Sequence, residues 1–125
     1  MDSDEKFTKQ SIDGLAKAES IISNGKVMLV IGADGNGKPQ YCYSTNGVNW
    51  TAGMNTTNGS WEEDQPADTL TSVCLTNNGF FASGFANGYS YLINEDGSYK
   101  SKSQVSTSGT SLRCAYYSNG KYFVG

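Results

Sequence analysis

The sequence predicts an all-β protein: one domain of tandem four-stranded antiparallel sheets, about two and a half of them, behind a short N-terminal arm. Three observations carry this. Asn-Gly and Asp-Gly pairs recur between short runs rich in Val, Ile, Tyr, Phe and Thr, the strongest local signal for a β-hairpin. Glycine and tyrosine are frequent (15 and 8 residues), while the two prolines, Pro39 and Pro66, fall between the runs; this mix favours short strands and tight turns over helices. One phrase also repeats along the chain: strand, Asn-Gly, strand, glycine turn, strand, Asn-Gly or Asp-Gly, strand.

Taken in order, residues 1–18 form the arm. A weak helical pattern runs from Phe7 to Ile22 through Ile12, Leu15, Ala16 and Glu19, broken by Gly14; a short helix and an extended docking segment both fit it. The β domain spans 19–125. Its first repeat, 19–53, has an inner hairpin around Asn24-Gly25, a turn at Asp34-Gly35-Asn36-Gly37 and an outer hairpin from Gln40 to Gly53. In that hairpin Asn46-Gly47 is expected as a two-residue turn with φ > 0 at both positions. Tyr41 and Tyr43 share one strand face there, and Trp50 lies on the returning strand. An insertion at 54–69 follows, polar and acidic (Glu62, Glu63, Asp64), and carries Trp61. The second repeat, 70–104, places Tyr89 and Tyr91 on its third strand and Asp96-Gly97 in its outer turn, before Tyr99. The third, 111–125, contains two strands around Asn119-Gly120.

The Asn-Gly pairs at 24, 78 and 119 are 54 and 41 residues apart, the longer spacing absorbed by the insertion. Four strands with a period near 41 match a β-propeller blade of ~40–45 residues. A closed propeller has ~4–8 blades. This chain therefore reads as a partial propeller, to be completed by other copies of itself or by the remainder of a longer chain; stacking of the sheets into a sandwich is the alternative.

Composition excludes several functions. Net charge is −3 and Lys and Arg are not clustered, whereas phosphate binding needs a basic patch; no nucleic-acid partner is expected. No apolar run approaches the ~20 residues of a membrane helix. The polar start, Met1 to Lys6, lacks a signal-peptide core, so the expectation is synthesis in the cytoplasm without a signal peptide, with virion association as a further destination. The three cysteines, Cys42, Cys74 and Cys114, are an odd number in apolar contexts and are expected as small buried hydrophobes rather than a disulfide framework. With no histidine and no CxxC pair, neither a metal nor a cofactor is expected.

Ser44-Thr45-Asn46-Gly47-Val48-Asn49-Trp50 resembles the Asp-box of BNR-repeat propellers, nearest to the phage and bacterial surface-protein variant Ser-x-Asp-Gly-x-x-Trp, with Asn46 in place of the aspartate. Asn94-Glu95-Asp96-Gly97-Ser98-Tyr99 is a second, weaker copy, with Tyr99 in the tryptophan place. The resemblance extends over about 19–125 and implies a structural turn motif at Ser44, Asn46, Gly47, Trp50, Asp96, Gly97 and Tyr99: the polar side chain ties the turn and the aromatic packs beneath the blade.

The chain lacks the residues for catalysis. A sialidase-type site needs three arginines to grip a carboxylate through their guanidinium forks; this chain has one, Arg113. The three neighbouring acids at 62–64 read as a solvated face, not as two carboxylates placed across a glycosidic bond. A Ser or Cys nucleophile would lack a histidine base. What remains is aromatic: Tyr41, Tyr43, Tyr89, Tyr91 and above all the loop residue Trp61 are the candidate ligand-binding residues, through flat faces able to stack on sugars. The expected function is a non-catalytic structural or adhesion module of a phage or bacterial surface protein, with surface glycans as candidate ligands. The alternatives are a fragment of a larger sialidase-like glycosidase and an architectural subunit that closes a ring by self-association.

Overall fold

The computed structural model describes residues 11–104 and 115–124, with backbone alone at 115, 116, 123 and 124. These residues are all β, with no helix. Ten strands occur: β1 (Lys17–Ser23), β2 (Met28–Ala33), β3 (Pro39–Ser44), β4 (Thr51–Ala52), β5 (Leu70–Thr76), β6 (Gly79–Gly84), β7 (Tyr89–Asn94), β8 (Tyr99–Gln104), β9 (Ala115–Ser118) and β10 (Lys121–Val124). They form two four-stranded antiparallel meanders, β1-β2-β3-β4 and β5-β6-β7-β8, and a two-stranded sheet, β9-β10, blade-like and not closed into a barrel. Among the described residues no helix is long and apolar enough to cross a membrane.

The helical pattern of the arm is not realised within the described residues. Lys17–Ser23 is a strand, two residues ahead of the expected boundary. Residues 11–16 run irregularly, with a turn closed by the Leu15 N–H on Ile12 O at 3.1 Å. Pairing with β2 through residues 17–23 outweighs a short apolar periodicity interrupted by glycine. The tight-turn expectation also needs correction. Asn119 is the only described non-glycine residue with positive φ, so only Asn119-Gly120, between the paired Ser118 and Lys121, is a two-residue turn with both central φ positive. Asn77-Asn78, between the paired Thr76 and Gly79, is equally short but has no positive φ at either position. Asn46-Gly47 lies in a six-residue corner between β3 and β4. Asp96-Gly97 lies in the corner between β7 and β8, where Asn94 O accepts from Gly97 N–H at 2.9 Å and Ser98 O from Asn94 N–H at 2.8 Å; this is a type I turn followed by a glycine bulge.

In an antiparallel pair, directly opposed residues share a face. On one face of the first sheet, its front, lie Leu29 and Ile31 opposite Tyr43 and Tyr41. On the back of the second sheet lie Phe80 and Ala82 opposite Ile93 and Tyr91. These two faces make a single core together with Val27, Met54 and Leu70. The next junction repeats the relation. Tyr122 occupies the turn-relative position in β10 that Phe80 occupies in β6, and its ring packs on Phe81 of the second sheet's front at 4.8 Å. Front therefore meets back twice in succession. The first strands of the sheets neighbour one another, β1 against β5 and β5 against β9.

The insertion is ordered against this frame. The side-chain amide of buried Gln40 imitates a strand partner for Met54, accepting its N–H at 2.8 Å and donating to its carbonyl at 3.0 Å. At the far end, the buried Asp68 carboxylate accepts from Thr69 N–H at 2.7 Å, Ala86 N–H at 2.6 Å and Asn87 N–H at 3.4 Å. It thereby holds the β6–β7 turn. Asp68→Ala leaves those amides without their acceptor, at about 1–3 kcal/mol. Equilibrium denaturation is expected to show that loss, with Asp68→Asn recovering part of it through its remaining carbonyl oxygen.

Candidate functional site

The Asn46 corner is built from side-chain oxygens. Ser44 Oγ accepts from the N–H of Asn46 (3.2 Å) and Gly47 (2.8 Å), and Asn46 Oδ1 from the N–H of Val48 (2.8 Å) and Asn49 (2.9 Å). Short polar side chains of this type stand in for missing ladder bonds in turns. Asp96 does the same for Ser98, accepting from its N–H at 2.9 Å and its hydroxyl at 2.6 Å; these bonds hold the Asp96 carboxyl below its ordinary range. Trp50 sits just ahead of β4, and its buried Nε1 has no partner among the described residues. Tyr99 is half-buried against the inter-sheet core.

The five candidate ligand-binding residues do not form one face. Tyr41 and Tyr91, 0% and 1% exposed, are sealed between the sheets and present no ring to a ligand. Alternation places both on faces that the neighbouring sheet covers, and this corrects their reading as surface residues. Tyr43, Trp61 and Tyr89 are half-buried around the same core. Trp61 is not the free loop tryptophan its polar surroundings predicted. Its indole N–H donates to Pro39 O at 2.8 Å, so the ring plugs the insertion against the start of β3. The outer rim is screened by lysines. Lys38 Nζ lies 5.3 Å from the Trp61 ring and Lys102 Nζ 5.3 Å from that of Tyr89, both within cation–π range. Lys102 also pairs with Glu62 at 2.7 Å, and that hydrogen bond, then the lysine charge, lowers the exposed Glu62 carboxyl. Glu62 thus acts as a tether; Arg113 and Cys114 lie outside the described residues.

The second open feature is the front of the second sheet. Phe81, Ser90, Leu92, Ser101, Ser103 and Tyr122 line a largely apolar groove of about 220 Å³. Ser83 and Ser90 oppose each other across β6 and β7, and the hydroxyls of both are buried without a hydrogen-bond partner among the described residues. No family model, curated protein or solved structure matches this chain. The functional reading therefore rests on this geometry. Among the described residues no three His, Cys, Asp or Glu side chains gather as a metal site.

The core carries a pH signature. Burial, with the Asp13 charge adding to it, pushes the Cys42 thiol up to about 11, and burial raises the Tyr41 and Tyr91 phenols well above their ordinary value. The folded chain then keeps protons that the unfolded chain releases. The associated stability is complete below about pH 9 and is lost as pH climbs through the folded-state values. The denaturation midpoint is expected to fall between about pH 9 and 11, at about 1.4 kcal/mol per pH unit for each retained proton. An unchanged midpoint over that range would contradict the burial of these groups.

Proposed function

We propose that this chain is a non-catalytic structural module whose sheets are successive blades of a β-propeller-like array, of the kind that the Asp-box resemblance associates with phage and bacterial surface proteins. The observation that carries the reading is the twice-repeated front-to-back packing with the first strands side by side. A sandwich joins two inner faces and stops, whereas a head-to-tail relation propagates and closes into a ring or continues as a helix. Adhesion is the secondary role. Its place is the rim of Tyr43, Trp61 and Tyr89, the three candidate aromatics that reach solvent.

An experimental structure tests the architecture: β1, β5 and β9 side by side along one axis support it, and sheets meeting front to front overturn it. Turnover of a panel of chromogenic glycosides by the purified chain would overturn the non-catalytic assignment. The adhesion role expects binding on a glycan array that weakens on Tyr89→Ala; an array without a single bound glycan removes that role and leaves the architecture standing.

A further inference from the structure

We infer that Asn119 is a site of spontaneous covalent modification: the Gly120 backbone nitrogen attacks its carboxamide, and the residue becomes aspartate or isoaspartate. The sequence holds seven Asn-Gly pairs, at 24, 36, 46, 58, 78, 87 and 119. All are candidates, because glycine has no side chain to shield its nitrogen. The reaction needs two freedoms. The carboxamide must swing onto the following nitrogen, and that nitrogen must release its proton rather than hold it in a hydrogen bond. Six pairs lack at least one of them. Asn24 Oδ1 accepts from the N–H of Lys26 and Val27, its Nδ2 donates to Glu95 O at 3.0 Å, and Gly25 N–H donates to Ser23 Oγ at 3.1 Å. Gly37 N–H donates to Asp34 O at 3.1 Å. Gly47 N–H donates to Ser44 Oγ at 2.8 Å while Asn46 Oδ1 holds two amides. Asn58 is pinned through Nδ2 to Gly53 O at 2.8 Å and through Oδ1 to Ser60. Gly79 is paired with Thr76 on one side and Asn94 on the other. Asn87 Nδ2 donates to Ala67 O at 3.0 Å and its N–H to Asp68.

Asn119-Gly120 differs. Both residues are exposed at the centre of the two-residue turn between the paired Ser118 and Lys121. The N–H of the second residue in such a turn lies outside the ladder, and neither it nor the Asn119 carboxamide has a hydrogen bond among the described residues. A Cβ on Gly120 would meet nothing within 4 Å, so the approach is unobstructed. Gly120 N bonds to Asn119 Cγ, the Cγ–Nδ2 bond breaks, and ammonia leaves with the amide proton, closing a cyclic succinimide. Water opens the ring. Attack at Cγ gives aspartate; attack at the main-chain carbonyl gives isoaspartate, whose backbone runs through the former side chain and is longer by a methylene. The turn holds φ of 50° and 76° at its two centres, and the lengthened backbone does not preserve it. The same hairpin carries Tyr122, packed on Phe81 at 4.8 Å and on Tyr117 at 5.0 Å. Isoaspartate at 119 therefore loosens the second front-to-back junction.

The test incubates the full chain at mildly alkaline pH and follows each Asn-Gly pair by peptide mapping with mass spectrometry. Asn119 is expected to convert roughly tenfold or more faster than any of the other six, since each of those must first give up hydrogen bonds. Ser44→Ala removes the acceptor of the Gly47 N–H and is expected to speed conversion at Asn46 by roughly tenfold, with the Asn119 rate unchanged. The isolated isoaspartyl form is expected to exchange its β10 amides faster than the unmodified chain. Equal rates at all seven pairs, no conversion at Asn119, or a pair other than 119 leading in the intact chain overturns the inference. So does an Asn46 rate indifferent to Ser44→Ala, which would remove hydrogen bonding as the protection. Unaltered exchange in β10 overturns the loosening of the junction. The blade reading is independent of these outcomes and falls separately, to a structure with sheets meeting front to front.

Discussion

Gly97→Ala is expected to destabilise the protein by about 2–5 kcal/mol, a large share of the ~5–15 kcal/mol that holds a domain together. Gly97 has φ 95°, in the left-handed region where a Cβ costs roughly 1–2 kcal/mol. The added methyl would also fall within the Tyr43 ring, and overpacking of this kind adds about 1–3 kcal/mol. Tyr43 cannot simply step aside, because it belongs to the packed front of the first sheet and Tyr41, its neighbour on that face, lies 6.2 Å away centroid to centroid. The same turn anchors the core, since Tyr41 Oη donates to Gly97 O at 2.8 Å. At about 3–6 °C per kcal/mol for a chain of this length, the thermal midpoint should drop by at least about 6 °C. Gly35→Ala is the control, because a Cβ there meets nothing within 4 Å and should cost less than about 0.5 kcal/mol. If the two variants melt together, the close approach of Tyr43 to this turn is wrong.

Tyr41→Ala should cost about 3–5 kcal/mol, the range for deleting a fully buried aromatic ring. The ring is the centre of the interface between the two four-stranded sheets, so the deletion removes contacts to both. Tyr41→Phe keeps the ring and loses only the bond to Gly97 O, at roughly 1–2 kcal/mol. The two turn-facing substitutions share a partner, and their effects should not add. A double-mutant cycle of Tyr41→Phe with Gly97→Ala should give a coupling energy above about 0.5 kcal/mol. Chemical denaturation with an unchanged slope provides the measurement. A Tyr41→Ala variant within about 1 kcal/mol of wild type would place Tyr41 outside the core.

Much of the fold could be read from local pattern. The strands around 20, 30, 42, 73, 82, 91 and 101 follow from short β-rich runs bounded by glycine and asparagine, and the Asn-Gly and Asp-Gly pairs of the repeats lie at corners between neighbouring strands, while Asp13-Gly14 lies ahead of β1 and Asn58-Gly59 in the insertion. Turn type was less legible. Asn46 and Asp96 act through their side-chain oxygens, Asn46 Oδ1 accepting from two amides and Asp96 Oδ1 from one, and neither has positive φ, in loops longer than two residues. Of the two conformations that fit the arm's pattern, residues 17–23 take the extended one, because a few apolar residues at helical spacing carry little weight against an available strand edge.

The candidate site was the least legible part. Trp61 looked exposed because its sequence neighbours are polar, yet its indole bonds Pro39, 22 residues away. Nothing local marks Asp68 as the holder of a turn 18 residues further on. Nor does a tyrosine-rich strand reveal which tyrosines face a neighbouring sheet.

The sequence by itself determined the class of structure, the strands and the places where the chain reverses. These depend on backbone dihedrals and side-chain alternation, which act over a few residues. Only the tertiary structure decided that front meets back twice, that Tyr41 and Tyr91 belong to the core and that Phe81, Ser90 and Leu92 line a groove. Those outcomes depend on which sheet covers which face, and that is set by packing between residues tens of positions apart, where local pattern has no reach.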